Sequence, residues 1–240
     1  MVEMVPEDIT KEEEEEMVLY YHVKMLDMCE HLKTPIQVHS TSTVYYKTLF
    51  TQKRVFQYEM RNLIAACVFL AMKVENIYVT AEILKSRLTF IDVTSLVQYE
   101  IEICNALNFN FHVPSPHLRL LGVFLMMKNR ERIRIATEDS VQTQEIQEID
   151  KILNWEKSVE NLKNIMLSDK YTELNPHEVA LAALTVQPSE LLGFFMEETV
   201  EAVKKIKMST IRRELPTKEQ LRKIDEKIQL IQKRYGILQK

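Results

Sequence analysis

Glycine is nearly absent from this chain. Three residues in 240 are glycine, where about 7% is ordinary. Turn-rich β architectures and glycine-lined phosphate cradles both depend on that residue's freedom at positive φ, so its scarcity argues against both and for an all-α protein. Cysteine is also scarce. Cys29, Cys67 and Cys104 stand alone in apolar helical stretches, with no CxxC pair, and read as small core residues of a reducing compartment. Basic surplus is missing too: 31 Lys and Arg face 35 Asp and Glu, a net charge of −4. A direct grip on nucleic acid, which needs a concentrated basic face, is therefore not expected. The longest strongly apolar run, Leu63 to Val74, is too short to span a bilayer. The acidic start, without a basic n-region or an apolar h-region, is not read as a signal peptide. An intracellular, soluble chain without membrane contact follows. Six histidines are scattered with no HExxH, so neither a metal site nor a cofactor is expected. No Ser, Cys or His nucleophile arrangement appears, and the chain is not read as an enzyme.

What is present is helix punctuation. Hydrophobic residues make up 46% and charged residues 28%, enough for one large core or two units of about 100 residues each. Thr10-Lys11-Glu12-Glu13 forms a capping box opening a helix to about Leu32. The acidic run Glu12–Glu16 reads as its solvated first turn, favoured by the N-terminal dipole. Thr34-Pro35 starts a second helix through Tyr45, Tyr46 and Phe50. A third spans about Glu59 to Val74, a fourth follows Thr80, and a fifth runs from Asp92 to Leu107. After a break at Asn108 to Pro114, Ser115-Pro116 caps a helix over Leu118 to Met127. Asn129 to Gln147 is polar and aperiodic and reads as a surface loop or a ragged helix start. A helix resumes over Ile149 to Leu167. Asn175-Pro176-His177-Glu178 supplies an Asn cap, a Pro at the first position and a Glu at the third. Shorter helices follow Pro188, another continues through Val203, and Pro216-Thr217 opens the last.

One internal echo suggests a tandem arrangement. Leu63 to Leu70 and Val179 to Leu184 are both alanine-bearing and apolar on nearly every side. A helix of that kind must be surrounded by others. Each is the third helix of its half.

The residues Leu63–Glu75, ending Ala71-Met72-Lys73-Val74-Glu75, resemble the central helix of the cyclin box. Gln98 to Phe111, with Glu100 and the exit Leu107, Phe109 and Phe111, is similar to that box's fifth helix. Glu15-Glu16-Met17-Val18-Leu19-Tyr20-Tyr21 with Leu26 to Cys29, and Leu167 to Tyr171 followed by Asn175-Pro176 and Ala180-Leu181, extend the resemblance over almost the whole chain. It is strongest toward the transcription-linked members that serve the CDK-activating, TFIIH kinase. The resemblance implies two tandem five-helix cyclin boxes, 15–113 and 114–207, after an acidic segment 1–14 and before a C-terminal helix within 208–240. It also implies a nuclear regulatory subunit whose partners are a cyclin-dependent kinase catalytic subunit and a RING-bearing assembly factor. A different transcriptional member of the family, of C or K type, and a TFIIB-like promoter-binding module are the alternatives. Two departures stand out. Met17 to Tyr21 lacks the arginine of the substrate-docking motif in cell-cycle relatives, and Asn76 replaces a second acid after Glu75.

Read alone, Lys73 is a lysine snorkelling near a helix C-terminus. Glu100 shares a helical stripe with Leu96, Ile103, Cys104 and Leu107. A carboxylate there needs a partner, because an unpaired buried charge costs several kcal/mol, and Lys73 is a candidate. The resemblance implies more: that Lys73 and Glu100 hydrogen-bond kinase backbone beside the kinase C-helix, while Val74, Cys104, Phe109 and Phe111 grip that helix. For Phe109 and Phe111 ordinary core packing competes evenly. Leu221, Ile224, Ile228, Ile231 and Tyr235 form one apolar seam on the last helix, which either packs back or accepts a partner.

Overall fold

The computed structural model describes residues 9–137, 153–191, 195–210 and 216–235. Among these residues ten α-helices and three 3-10 turns occur, and no strand. The helices are α1 (Lys11–His31), α2 (Ile36–Phe50), α3 (Met60–Val74), α4 (Ala81–Arg87), α5 (Val93–Ala106), α6 (Pro116–Thr137), α7 (Trp155–Met166), α8 (Pro176–Ala183), α9 (Glu197–Ser209) and α10 (Lys218–Tyr235).

Cap chemistry sets most of the starts. Thr10 and Glu13 close a reciprocal capping box on α1. Glu59, Thr80, Asp92, Asn154 and Asn175 each accept a backbone N–H at the start of their helix, satisfying donors that the helix itself cannot. Thr217 and Gln220 exchange the same pair of bonds at α10. Left-handed residues other than glycine make two of the stops in the first unit and follow the first helix. Lys33, Asn76, Asn108 and Phe109 take positive φ values of 54°, 60°, 49° and 56°. Asn tolerates that region better than most residues, because its short polar side chain bonds locally.

The chain forms two compact units: Met1–Val113 with Arg213–Lys240, and Pro114–Arg212. In the first unit α3 is central. Every residue from Asn62 to Met72 is buried, and α1, α2 and α5 pack around it. In the second, α8 holds the same place, with Val179 to Leu184 buried and α6, α7 and α9 around it. The apolar echo therefore marks two helices with the same structural task. The fourth position of the second unit is the 3-10 turn Pro188–Leu191.

Some boundaries differ from the sequence reading. α6 continues to Thr137, because Arg, Glu, Ile and Ala after Asn129 are helix-compatible even without an apolar stripe; residues 138–147 of the expected loop lie outside the described residues. α7 begins at Trp155, where the Asn154 side chain accepts from the Lys157 N–H at 2.8 Å, and Ile149 to Ile152 lie outside the described residues. α9 ends at Ser209, two residues past the expected 207.

The last helix packs back. Ile224, Ile228 and Ile231 are buried in the core of the first unit, and α10 contacts α1 and the 3-10 turn Val55–Gln57. Gln232 Nε2 donates to the carbonyls of Phe56 and Tyr58 at 3.1 and 3.2 Å. The acidic run is not uniformly solvated. Glu13 pairs with Lys227 of α10, and Glu14 accepts from Arg54 Nε at 2.6 Å and from the Val55 N–H at 2.9 Å. The Lys227 ammonium beside Glu13 holds that carboxyl below the usual range. A first turn suited to solvent by composition also carries two cross-links of the unit.

Candidate interaction site on the first unit

Lys73 sits in the last turn of α3 and Glu100 near the middle of α5. Several bonds register α5 against its neighbours. Asn62 Oδ1 accepts from the Asp92 N–H at 3.0 Å, the Tyr99 hydroxyl accepts from the Glu59 N–H at 3.0 Å, and Gln52 Nε2 donates to the Ala106 carbonyl at 3.1 Å. With α5 so placed, Lys73 Nζ donates to Glu100 Oε1 at 2.6 Å. The Lys73 side chain is 44% exposed and that of Glu100 16%. The two charges therefore meet at the surface, with an outward route. Lys73 Nζ also lies 4.1 Å from the centroid of the buried Phe69 ring. This cation–π contact fixes the ammonium from the α3 side. An ammonium carries three donors and a carboxylate about four lone-pair sites, and the pair uses one of each on itself.

The remaining residues named from the sequence surround this pair unevenly. Val74, Cys104 and Phe111 are half-buried against the core. Burial pushes the Cys104 thiol above its ordinary value, the Glu100 charge adds to that, and Lys73 opposes it. Phe109 is 64% exposed, so core packing does not account for it. Its ring meets the Phe111 ring edge-on at 6.1 Å. Val97 and Ile101 on α5 are exposed as well and lie on the same outward stripe as Cys104 by helical spacing.

The exit from α5 is built from two consecutive left-handed residues. The Phe109 N–H donates to the Cys104 carbonyl at 2.9 Å, and the Asn110 N–H to the Leu107 carbonyl at 3.0 Å. A left-handed aromatic costs on the order of 1–3 kcal/mol and persists only where its surroundings impose it. Two side chains of α2 reach the site and were missed by sequence reasoning. Thr41 Oγ1 donates to Glu75 Oε1 at 2.6 Å, and the Tyr45 hydroxyl donates to the Phe111 carbonyl at 2.8 Å. Neither contact has a sequence signal, since each joins residues at least 34 positions apart. Phe69 was legible in principle, being one helical turn before Lys73.

Among the described residues no helix is long and apolar enough to cross a membrane, and no group of three His, Cys, Asp or Glu is arranged to hold a metal ion. The surface around Lys73 and Glu100 offers polar bonds and apolar contact.

Residues 4–112 match the family model of the cyclin N-terminal domain. Cyclin-H1-1 of Arabidopsis thaliana is 25% identical over 178 residues, covering 74% of this chain and 50% of that protein. The chain spans about half the length of the curated relatives it matches. Among solved structures, a chain of the yeast TFIIK (Kin28/Ccl1/Tfb3) complex superposes with a TM-score of 0.67 at 20% identity, over 83% of this chain and 87% of that one. A chain of the CAK complex from Chaetomium thermophilum bound to ATP-γ-S gives 0.69 at 16% identity, over 95% and 75%. At these identities the superpositions establish the fold.

Proposed function

We propose that this chain, whose residues 4–112 match the cyclin N-terminal domain, is a cyclin H-like regulatory subunit that binds and activates a cyclin-dependent kinase. The kinase is of the CDK-activating, TFIIH-linked kind, and the work is done in the nucleus. The observation carrying this reading is the ion pair of an exposed Lys73 with a largely buried Glu100, on the same helix whose exit carries the exposed ring of Phe109. A pair already formed in the free chain loses little freedom on binding, and its unused donors and lone pairs suit peptide groups of a partner backbone. Val74, Cys104, Phe109 and Phe111 supply the apolar grip around it.

The mechanism is a shift of population. A kinase is active only when the glutamate of its C-helix meets the strand-3 lysine that holds ATP phosphates. A subunit that binds the helix-in state more tightly moves that equilibrium by its differential affinity and by no more. The chain itself contributes no chemistry. Yeast TFIIK contains Kin28 and Tfb3 beside Ccl1, and a third subunit, a RING-bearing assembly factor, is part of this proposal.

Affinity purification of the tagged chain from its own cells, with mass spectrometry, tests the reading. We expect a cyclin-dependent kinase catalytic subunit with the wild-type chain and a marked loss of it with K73A/E100A. Recovery of promoter DNA without any kinase would sink the proposal.

A further inference from the structure

α2 is not part of the surface just described, yet two of its side chains hold both edges of that surface. Thr41 and Tyr45 are buried and one helical turn apart. Thr41 bonds Glu75, the C-cap residue of α3, two positions after Lys73. Tyr45 bonds the Phe111 carbonyl, and its ring meets the Phe111 ring edge-on at 6.5 Å. Between these anchors run the α3 terminus, with left-handed Asn76, and the α5 exit, with left-handed Asn108 and Phe109. Both presenting segments leave their helices through left-handed residues, closed by the Ile77 N–H on the Met72 carbonyl and the Phe109 N–H on the Cys104 carbonyl, and α2 adds one side-chain bond to each from the buried side.

Resting on the kinase-docking reading, we infer that Thr41 and Tyr45 are positioning residues that set the α3 end, with Lys73, and the aromatic arm Phe109–Phe111 in register for the partner. An exposed left-handed phenylalanine gives the core nothing, so the bond that fixes its segment serves presentation. Without the Tyr45 hydroxyl the arm samples other arrangements, and only the fraction in the right one binds. Burial raises the Tyr45 hydroxyl well above its ordinary value, with the Glu75 charge acting in the same direction, so it remains a donor throughout the physiological range.

The test compares Y45F and T41V, which remove only the hydroxyls' hydrogen bonds, using the kinase subunit recovered with the wild-type chain. Y45F should raise the dissociation rate about two- to tenfold, the range for one lost hydrogen bond, and speed amide exchange over residues 108–113 in the free chain. In an F109A background Y45F should add less than it does in wild type, and T41V should likewise add less to K73A. Such non-additivity marks residues acting through one another. If Y45F fails to fold, the T41V and K73A arm decides. A wild-type dissociation rate for either hydroxyl variant, or equal effects with and without the arm, overturns the inference. A kinase that binds K73A/E100A as it binds wild type overturns the docking reading instead, and this inference falls with it.

Discussion

His22 shows how much of a residue's behaviour is invisible in sequence. It lies on α1 among apolar neighbours, and its Nε2 meets Thr43 Oγ1 at 3.0 Å while its ring stacks on Tyr46 at 5.6 Å. Burial, helped by the Lys47 charge, holds its pKa well below the ordinary 6.5. The folded chain thus keeps His22 neutral where the unfolded chain takes up a proton. Stability from this group is complete above pH 6.5 and falls as pH drops below it, by up to about 1.4 kcal/mol per pH unit. The melting temperature of wild type should therefore fall more steeply between pH 7.5 and 5.5 than that of H22Q. His117 shares the sign of the effect through burial, so the difference between the two proteins is the quantity to read. Parallel curves would contradict the assignment. Lys73 and Glu100, by contrast, were legible: a carboxylate on an apolar stripe called for a partner, and a lysine at a helix end could reach it. What could not be read was Tyr45 behind Phe111, 66 positions away.

At the level of elements, legibility follows from whether the cause is local. Capping boxes and Asn, Asp or Thr caps act within four residues, so α1, α5, α8 and α10 begin where their caps predict. The continuation of α6 through Asn129 to Thr137 was missed because propensity, not periodicity, carries it. The docking of α10 could be seen only as a seam with two possible uses, since its choice depends on residues some 170 positions away. That docking yields a contrast between two variants. Q232A strips a buried donor from two carbonyls and should cost about 1–3 kcal/mol in urea denaturation. K227A breaks a pair whose lysine is 44% exposed and should cost under about 1 kcal/mol. Equal losses would mean that α10 is held by charge rather than by its buried face.

For the molecule as a whole, the apolar echo marked the central helix of each of the two units, while the proposed function rests on where the chain places charge. The first unit carries an ion pair whose lysine is 44% and whose glutamate is 16% exposed, and an exposed aromatic, Phe109, on the α5 exit. At the surface such a pair contributes under about 1 kcal/mol to folding, whereas loss of a charge pair made to a partner costs about 2–5 kcal/mol of binding. The most direct measurement is the phosphorylation rate of the recovered kinase with wild-type chain and with K73A/E100A, alongside both melting curves. We predict a melting temperature within a few degrees of wild type and activation reduced at least about thirtyfold at limiting concentration. Full activation by the double variant, or a collapse of its melting transition, would contradict the account.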